Sequence, residues 1–146
     1  FGNVRRQFTV DIDGTWDGKT LTLTEDFIFG DGETESRVWS IEKIAPASYV
    51  GTADDVIGSA KGIVSGNTLN WKYDMRLKVG GSRVKVHFDD WMFLQSNGVL
   101  INKATVSKLG VDIGRVTIAF TKKANADFLS TVSSTNKESL VATLGR

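Results

Sequence analysis

The sequence predicts an all-β fold, an antiparallel meander closed into a barrel of about 8–10 strands. Three observations carry this. Apolar and polar residues alternate with period two along most of the chain. The alternating runs are separated by short Gly-containing turns. No helical periodicity interrupts them, and the connections are too short for the crossovers that a parallel sheet needs. A long open meander would leave two bare edges, and closure removes them. A β-sandwich is the alternative, but it usually needs longer Greek-key links.

The first strand places Val4, Arg6, Phe8, Val10 and Ile12 on one face and Arg5, Gln7, Thr9, Asp11 and Asp13 on the other, as expected of a sheet with one wet side. After Asp17-Gly18 a second strand is predicted from Thr20 to Phe29, with Leu21, Leu23, Phe27 and Phe29 sharing a face. Asp31-Gly32 turns it into a third, from Glu33 to Ile44, and Pro46 marks its exit. Short strands follow over Tyr49 to Ala53 and Ser59 to Val64. The clearest alternation is Thr68 to Val79, where Leu69, Trp71, Tyr73, Met75, Leu77 and Val79 share a face. Gly80-Gly81 then gives a tight hairpin into Arg83 to Leu94. Asn97-Gly98 leads into Val99 to Ser107, and a last strand runs from about Val111 to Thr121. The whole reads as a lipocalin-like, calycin-type barrel. Asp17-Gly18-Lys19-Thr20-Leu21 and Ser65-Gly66-Asn67-Thr68-Leu69 echo one another through shared hairpin chemistry.

From Ala124 the alternation stops. Thr135-Asn136-Lys137-Glu138 has the form of a capping box, which predicts a short helix from about Asn136 to Leu144. The expected organisation is a barrel domain over 1–123 and a C-terminal helix or flexible tail over 124–146.

Composition excludes several functions. The chain has 146 residues, 15 Gly, one Pro and no Cys, so a disulfide scaffold, a thiolate metal site and a Cys nucleophile are ruled out. Lys and Arg total 18 against 17 acids, a balance that argues against nucleic-acid binding by bulk charge. No apolar run approaches the roughly 20 residues of a spanning helix. A lone His excludes His-based metal sites. The glycines sit at hairpins, so there is no phosphate loop, and a nucleophile elbow is missing. No cofactor and no metal are expected. The chain opens on Phe1 rather than Met, which predicts an N-terminus that has been processed, trimmed or engineered.

Polar groups in apolar registers mark the candidate site. His87 shares a face with Asp89, Trp91 and Phe93, and His87 held by Asp89 would make a general base. The bland reading is a hydrogen-bonded pair at a barrel rim. Asp54-Asp55 and Asp89-Asp90 are paired acids, but neighbours on a strand point to opposite faces. Arg37 and Trp39 share a face and would anchor a carboxylate or phosphate head group; the alternative is an Arg covering an exposed Trp. Glu25 lies in the register of Leu23 and Phe27, and Arg37 stands across the Asp31-Gly32 hairpin at a matching distance. A Glu25–Arg37 pair is therefore expected.

The ordered motifs Glu25-Asp26-Phe27, Asp31-Gly32-Glu33-Thr34, Arg37-Val38-Trp39, Gly51-Thr52-Ala53-Asp54-Asp55-Val56, Phe88-Asp89-Asp90-Trp91-Met92, Val99-Leu100-Ile101-Asn102-Lys103-Ala104 and Lys108-Leu109-Gly110 resemble an uncharacterised bacterial family commonly labelled as lipoproteins, the domain of unknown function 3833. The resemblance covers about Val4 to Phe120. It implies no activity. It does imply the bacterial cell envelope, periplasmic or lipid-anchored, through an upstream Cys that this sequence lacks. It also implies a segment ahead of the position of Phe1, without which the barrel is gapped or filled by the C-terminal tail.

The resulting expectation is a carrier or sensor of a small amphipathic or lipid-like ligand. Trp39, Trp71, Tyr73 and Trp91 would supply apolar surface, and Glu25, Arg37, His87 and Asp89 the polar contacts. Two rivals remain open at this point: a barrel isomerase or hydrolase using His87 and Asp89, and a structural or protein-interaction module without a ligand. Oligomeric state is not legible.

Overall fold

The computed structural model of the protein describes residues 4–79, 81–122 and 140–145. Ten strands, and no helix among the described residues, make up its regular structure. They are β1 (Val4–Trp16), β2 (Thr20–Phe29), β3 (Thr34–Ala45), β4 (Ser48–Thr52), β5 (Val56–Ser65), β6 (Thr68–Val79), β7 (Ser82–Leu94), β8 (Leu100–Lys108), β9 (Val111–Phe120) and β10 (Leu140–Gly145). The first nine form a strongly curled antiparallel meander, each pairing with its neighbour in sequence, and β10 lies between β9 and β1 to close the ring. The predicted all-β barrel is therefore the observed fold. Pro46 stands in the β3–β4 turn as expected.

The C-terminal helix is corrected. Leu140–Gly145 is a strand, with Ala142 opposite both Phe8 of β1 and Ile118 of β9. Residues 135–138, which hold the capping pattern, and residue 139 are outside the described residues. The reason is tertiary. β1 and β9 each present an open row of backbone donors and acceptors, and a strand between them satisfies both rows. Val141 and Thr143 are β-branched and resist this poorly.

Alternation sorts the remaining strands as read. On β6, Trp71, Tyr73 and Met75 are buried while Lys72 and Arg76 are exposed. The inward aromatic residues form two groups of ring contacts. Trp39 meets Trp71 edge-on at 5.5 Å between ring centroids and Tyr73 at 5.2 Å, and Tyr73 stacks on Phe88 at 5.1 Å. Phe8 packs between Phe27 and Phe29.

Two strand glycines make room for this layer. A Cβ at Gly62 would lie 2.5 Å from the Trp71 ring, and one at Gly51 2.6 Å from it. Glycine inside a strand otherwise weakens it, so these two positions are occupied by the indole instead of a side chain. The consequence is a reversal of sign. In open space Gly→Ala in a strand stabilises by about 0.4–1 kcal/mol. Gly62→Ala here is expected to destabilise by about 1–3 kcal/mol through overpacking, read as a lower urea midpoint at unchanged slope. A neutral or stabilising outcome would show that Trp71 has somewhere else to go.

Candidate functional site

The barrel encloses a lumen of about 620 Å³, inside the range of small-molecule sites. Of the residues predicted for a site, Glu25, Arg37, Trp39, Trp71 and Tyr73 line it. The lumen meets a second, more polar depression of about 500 Å³ at the end of the barrel carrying the β2–β3, β4–β5 and β6–β7 turns. Glu35, Arg37, Met75, Leu77 and Lys78 belong to both and mark the boundary between them.

Arg37 is fixed there by two acids. The expected partner, Glu25, is opposite it in the β2–β3 ladder and accepts from Nη1 at 3.5 Å. The stronger partner is Asp55, which accepts from Nη2 at 2.8 Å and from Nε at 3.0 Å. Asp54 and Asp55 both lie in the β4–β5 turn; Asp54 is exposed while Asp55 is half-buried. The backbone sets this up, because the Asp55 carbonyl accepts from the amide of Arg76 on β6. Burial works against the Arg37 charge, but Asp55, Tyr73 and Glu25 together outweigh it and the guanidinium stays firmly protonated. Burial pushes the Glu25 carboxyl above its usual value, with Arg37 opposing. Trp39 is buried at 4% exposure, so Arg37 does not shield an exposed ring. The guanidinium lies over the Phe27 ring, at 5.6 Å from its centroid.

Three further polar residues occupy the lumen wall. Asp90 and Asn102 are each only 5% exposed, and Asp90 Oδ1 and Asn102 Oδ1 have no hydrogen-bond partner. The Tyr73 hydroxyl donates to Asp90 Oδ2 at a long 3.5 Å. Burial raises the Asp90 carboxyl to about 7; nearby Asn102 pulls it down, and the charges of Glu25 and Asp89 add to the rise. The Tyr73 phenol is likewise raised, first by burial and then by Asp90. A buried acceptor without a donor costs about 1–3 kcal/mol. The signal for Asp90 was present in the sequence: it shares a register with Val84, Val86 and Phe88, the apolar face of β7. Asn102, in register with Ala104 and Val106, carried the same signal.

The other face of β7 corrects three expectations. His87, Asp89 and Trp91 point away from the lumen. His87 is exposed on the outer wall, and its Nδ1 lies 2.7 Å from Asp74, not Asp89. Asp74 also pairs with Lys85 at 3.0 Å, and the His87 and Lys85 contacts hold its carboxyl below the usual value. Asp89 accepts from Asn70 at 2.7 Å and lies 3.5 Å from Lys72. Trp91 is 44% exposed. The physical reason is that β7 carries large apolar residues on both faces, so alternation alone does not say which face is inside. A barrel enzyme with His87 as its base has no support in this geometry, because the imidazole is on the opposite side of the wall from the cavity.

A sequence model of the family described as "Protein of unknown function (DUF3833)" matches residues 1–122. No curated protein and no solved structure matches the chain.

Two outcomes test the site's electrostatics. Arg37→Met leaves Glu25 and Asp55 without their cation, and is expected to destabilise by about 3 kcal/mol. Adding Asp55→Asn should recover part of that loss, read as a non-additive double-mutant cycle in urea. Asp90 gives a pH dependence of opposite sense to an ordinary paired acid. Its folded value of about 7 lies above the usual 3.8. Below that usual value both folded and unfolded chains hold the proton, so there is no penalty. Between pH 4 and 7 the unfolded chain ionises first and stability falls, by on the order of 4 kcal/mol at most. Asp90→Asn should therefore gain stability relative to the parent as pH rises through that window, followed by thermal melts. A gap between the two that does not vary with pH would remove Asp90 as a buried acid.

Proposed function

Because the chain belongs to the DUF3833 family, whose function is unknown, its role has to be built from its own site, and we propose that it binds or carries a small amphipathic ligand in the barrel. One observation carries the reading: the lumen of about 620 Å³ is lined mainly by apolar and aromatic side chains, with a few polar groups set among them. That is the composition of a site that buries most of an apolar molecule and orients it with few contacts. Phe8, Phe27 and Phe29 offer the apolar surface on one side, and Trp39, Trp71 and Tyr73 on another. A structural module without a ligand would be better served by a filled interior, since unfilled apolar volume forfeits packing energy. Location in the bacterial cell envelope is part of the proposal and rests on the family resemblance.

The test is occupancy of the lumen by a neutral apolar dye. N-phenyl-1-naphthylamine is expected to bind one molecule per chain, with enhanced emission. Ala104, 4% exposed and part of the lining, offers a way to fill the cavity. Ala104→Phe should weaken dye binding at least tenfold while the folded near-ultraviolet circular dichroism persists. Equal binding by both proteins would place the dye outside the barrel and overturn the reading.

A further inference from the structure

Building on the proposed lumen site, we infer that the ligand's head group is a hydrogen-bond donor without negative charge, an amine or a hydroxyl, received by Asp90, Asn102 and Tyr73, and that carboxylate amphiphiles are rejected. The cations of the lining have partners or stand at its edge. Arg37 is held by Asp55 and Glu25 at 2.8 and 3.5 Å. Arg6 is held by Glu33 and Asp31 at 2.7 and 3.1 Å and lies over the Phe29 ring. Lys78 is exposed and also lines the mouth. At Arg37 or Arg6 an anionic head group would have to displace an acid already in place, and Lys78 offers a charge only at the mouth, away from Asp90 and Asn102.

The unsatisfied atoms are of the other kind. Asp90 Oδ1 and Asn102 Oδ1 are acceptors, buried in the wall, on residues that line the cavity. They are brought together by the β7–β8 ladder. Asp90 faces Ala104 and Asn102 faces Met92, so the two side chains are diagonal neighbours on the inner face. Tyr73 donates to Asp90 from β6 at 3.5 Å, and the lone pairs of its oxygen remain as a further acceptor. The charges that Asp90 feels, Glu25 and Asp89, are acids. They disfavour a second anion there and favour a cation or a neutral donor.

The experiment compares three amphiphiles with one chain length: decylamine, decanol and decanoate. Each is titrated calorimetrically at pH 7.5 below its micelle-forming concentration. Decylamine and decanol are expected to bind at least tenfold more tightly than decanoate. Asp90→Leu and Asn102→Leu should each reduce that preference to less than threefold. Near-ultraviolet circular dichroism checks the fold, and Asn102→Leu decides alone if Asp90→Leu does not fold. Decanoate binding as well as the other two, or a preference unchanged in the variants, overturns the inference while leaving a carrier in place. Failure of all three amphiphiles with the naphthylamine dye still bound has the same meaning. Failure of the dye as well overturns the carrier reading itself.

Discussion

Closure of the strand ring is the constraint on which the rest of this structure depends. Ten strands in one ring enclose more space than eight, the number at which side chains just fill a barrel. The wall cannot collapse inward without breaking its ladders, and each strand contributes side chains to the interior only at every second residue. Trp39, Trp71, Tyr73 and Phe88 fill part of the space, with Gly51 and Gly62 cut back so that the Trp71 indole fits. The remainder is the lumen.

A closed ring also decides how polar residues inside it behave. They are cut off from bulk water and must find partners or change protonation. Arg37 represents the first outcome, surrounded by Glu25 and Asp55 and therefore charged. Asp90 represents the second, an acid whose burial, helped by the charges of Glu25 and Asp89 and opposed by Asn102 and Tyr73, raises its carboxyl to about 7. The two differ in what they leave for a ligand. A satisfied ion cluster guards the boundary between lumen and mouth. An incompletely satisfied acid and amide, deeper in the wall, offer specific hydrogen bonds. Outside the wall the same residue types carry no such meaning. His87, Asp74 and Lys85 form an exposed cluster in water, where ion pairs contribute little.

Strand alternation, hairpin residues and the absence of helical periodicity were enough to read nine of the ten strands in their order. The Glu25–Arg37 pair was legible too, because a two-strand hairpin of known turn places its residues opposite one another by counting. Asp55 was not legible as the third member, since it reaches Arg37 from a separate turn, 18 residues on. On β7 the reading went to His87, Asp89 and Trp91, and the inward face proved to hold Asp90. An exposed Trp and a buried one look alike in a sequence, and which face is buried is settled only when β6 and β8 are in place.

The amino-acid sequence by itself determined a β meander, the side-chain register within each strand and the short-range pairings across each hairpin. These follow from period-two geometry and turn chemistry, which act over a few residues. Tertiary structure alone decided which face of β7 is inside, which acid holds Arg37 most closely, and that Leu140–Gly145 becomes a strand between β9 and β1. Those outcomes depend on segments far apart in the chain meeting in one ring. The hydrogen bonds and burial gained there outweigh the weak local preferences from which a sequence is read.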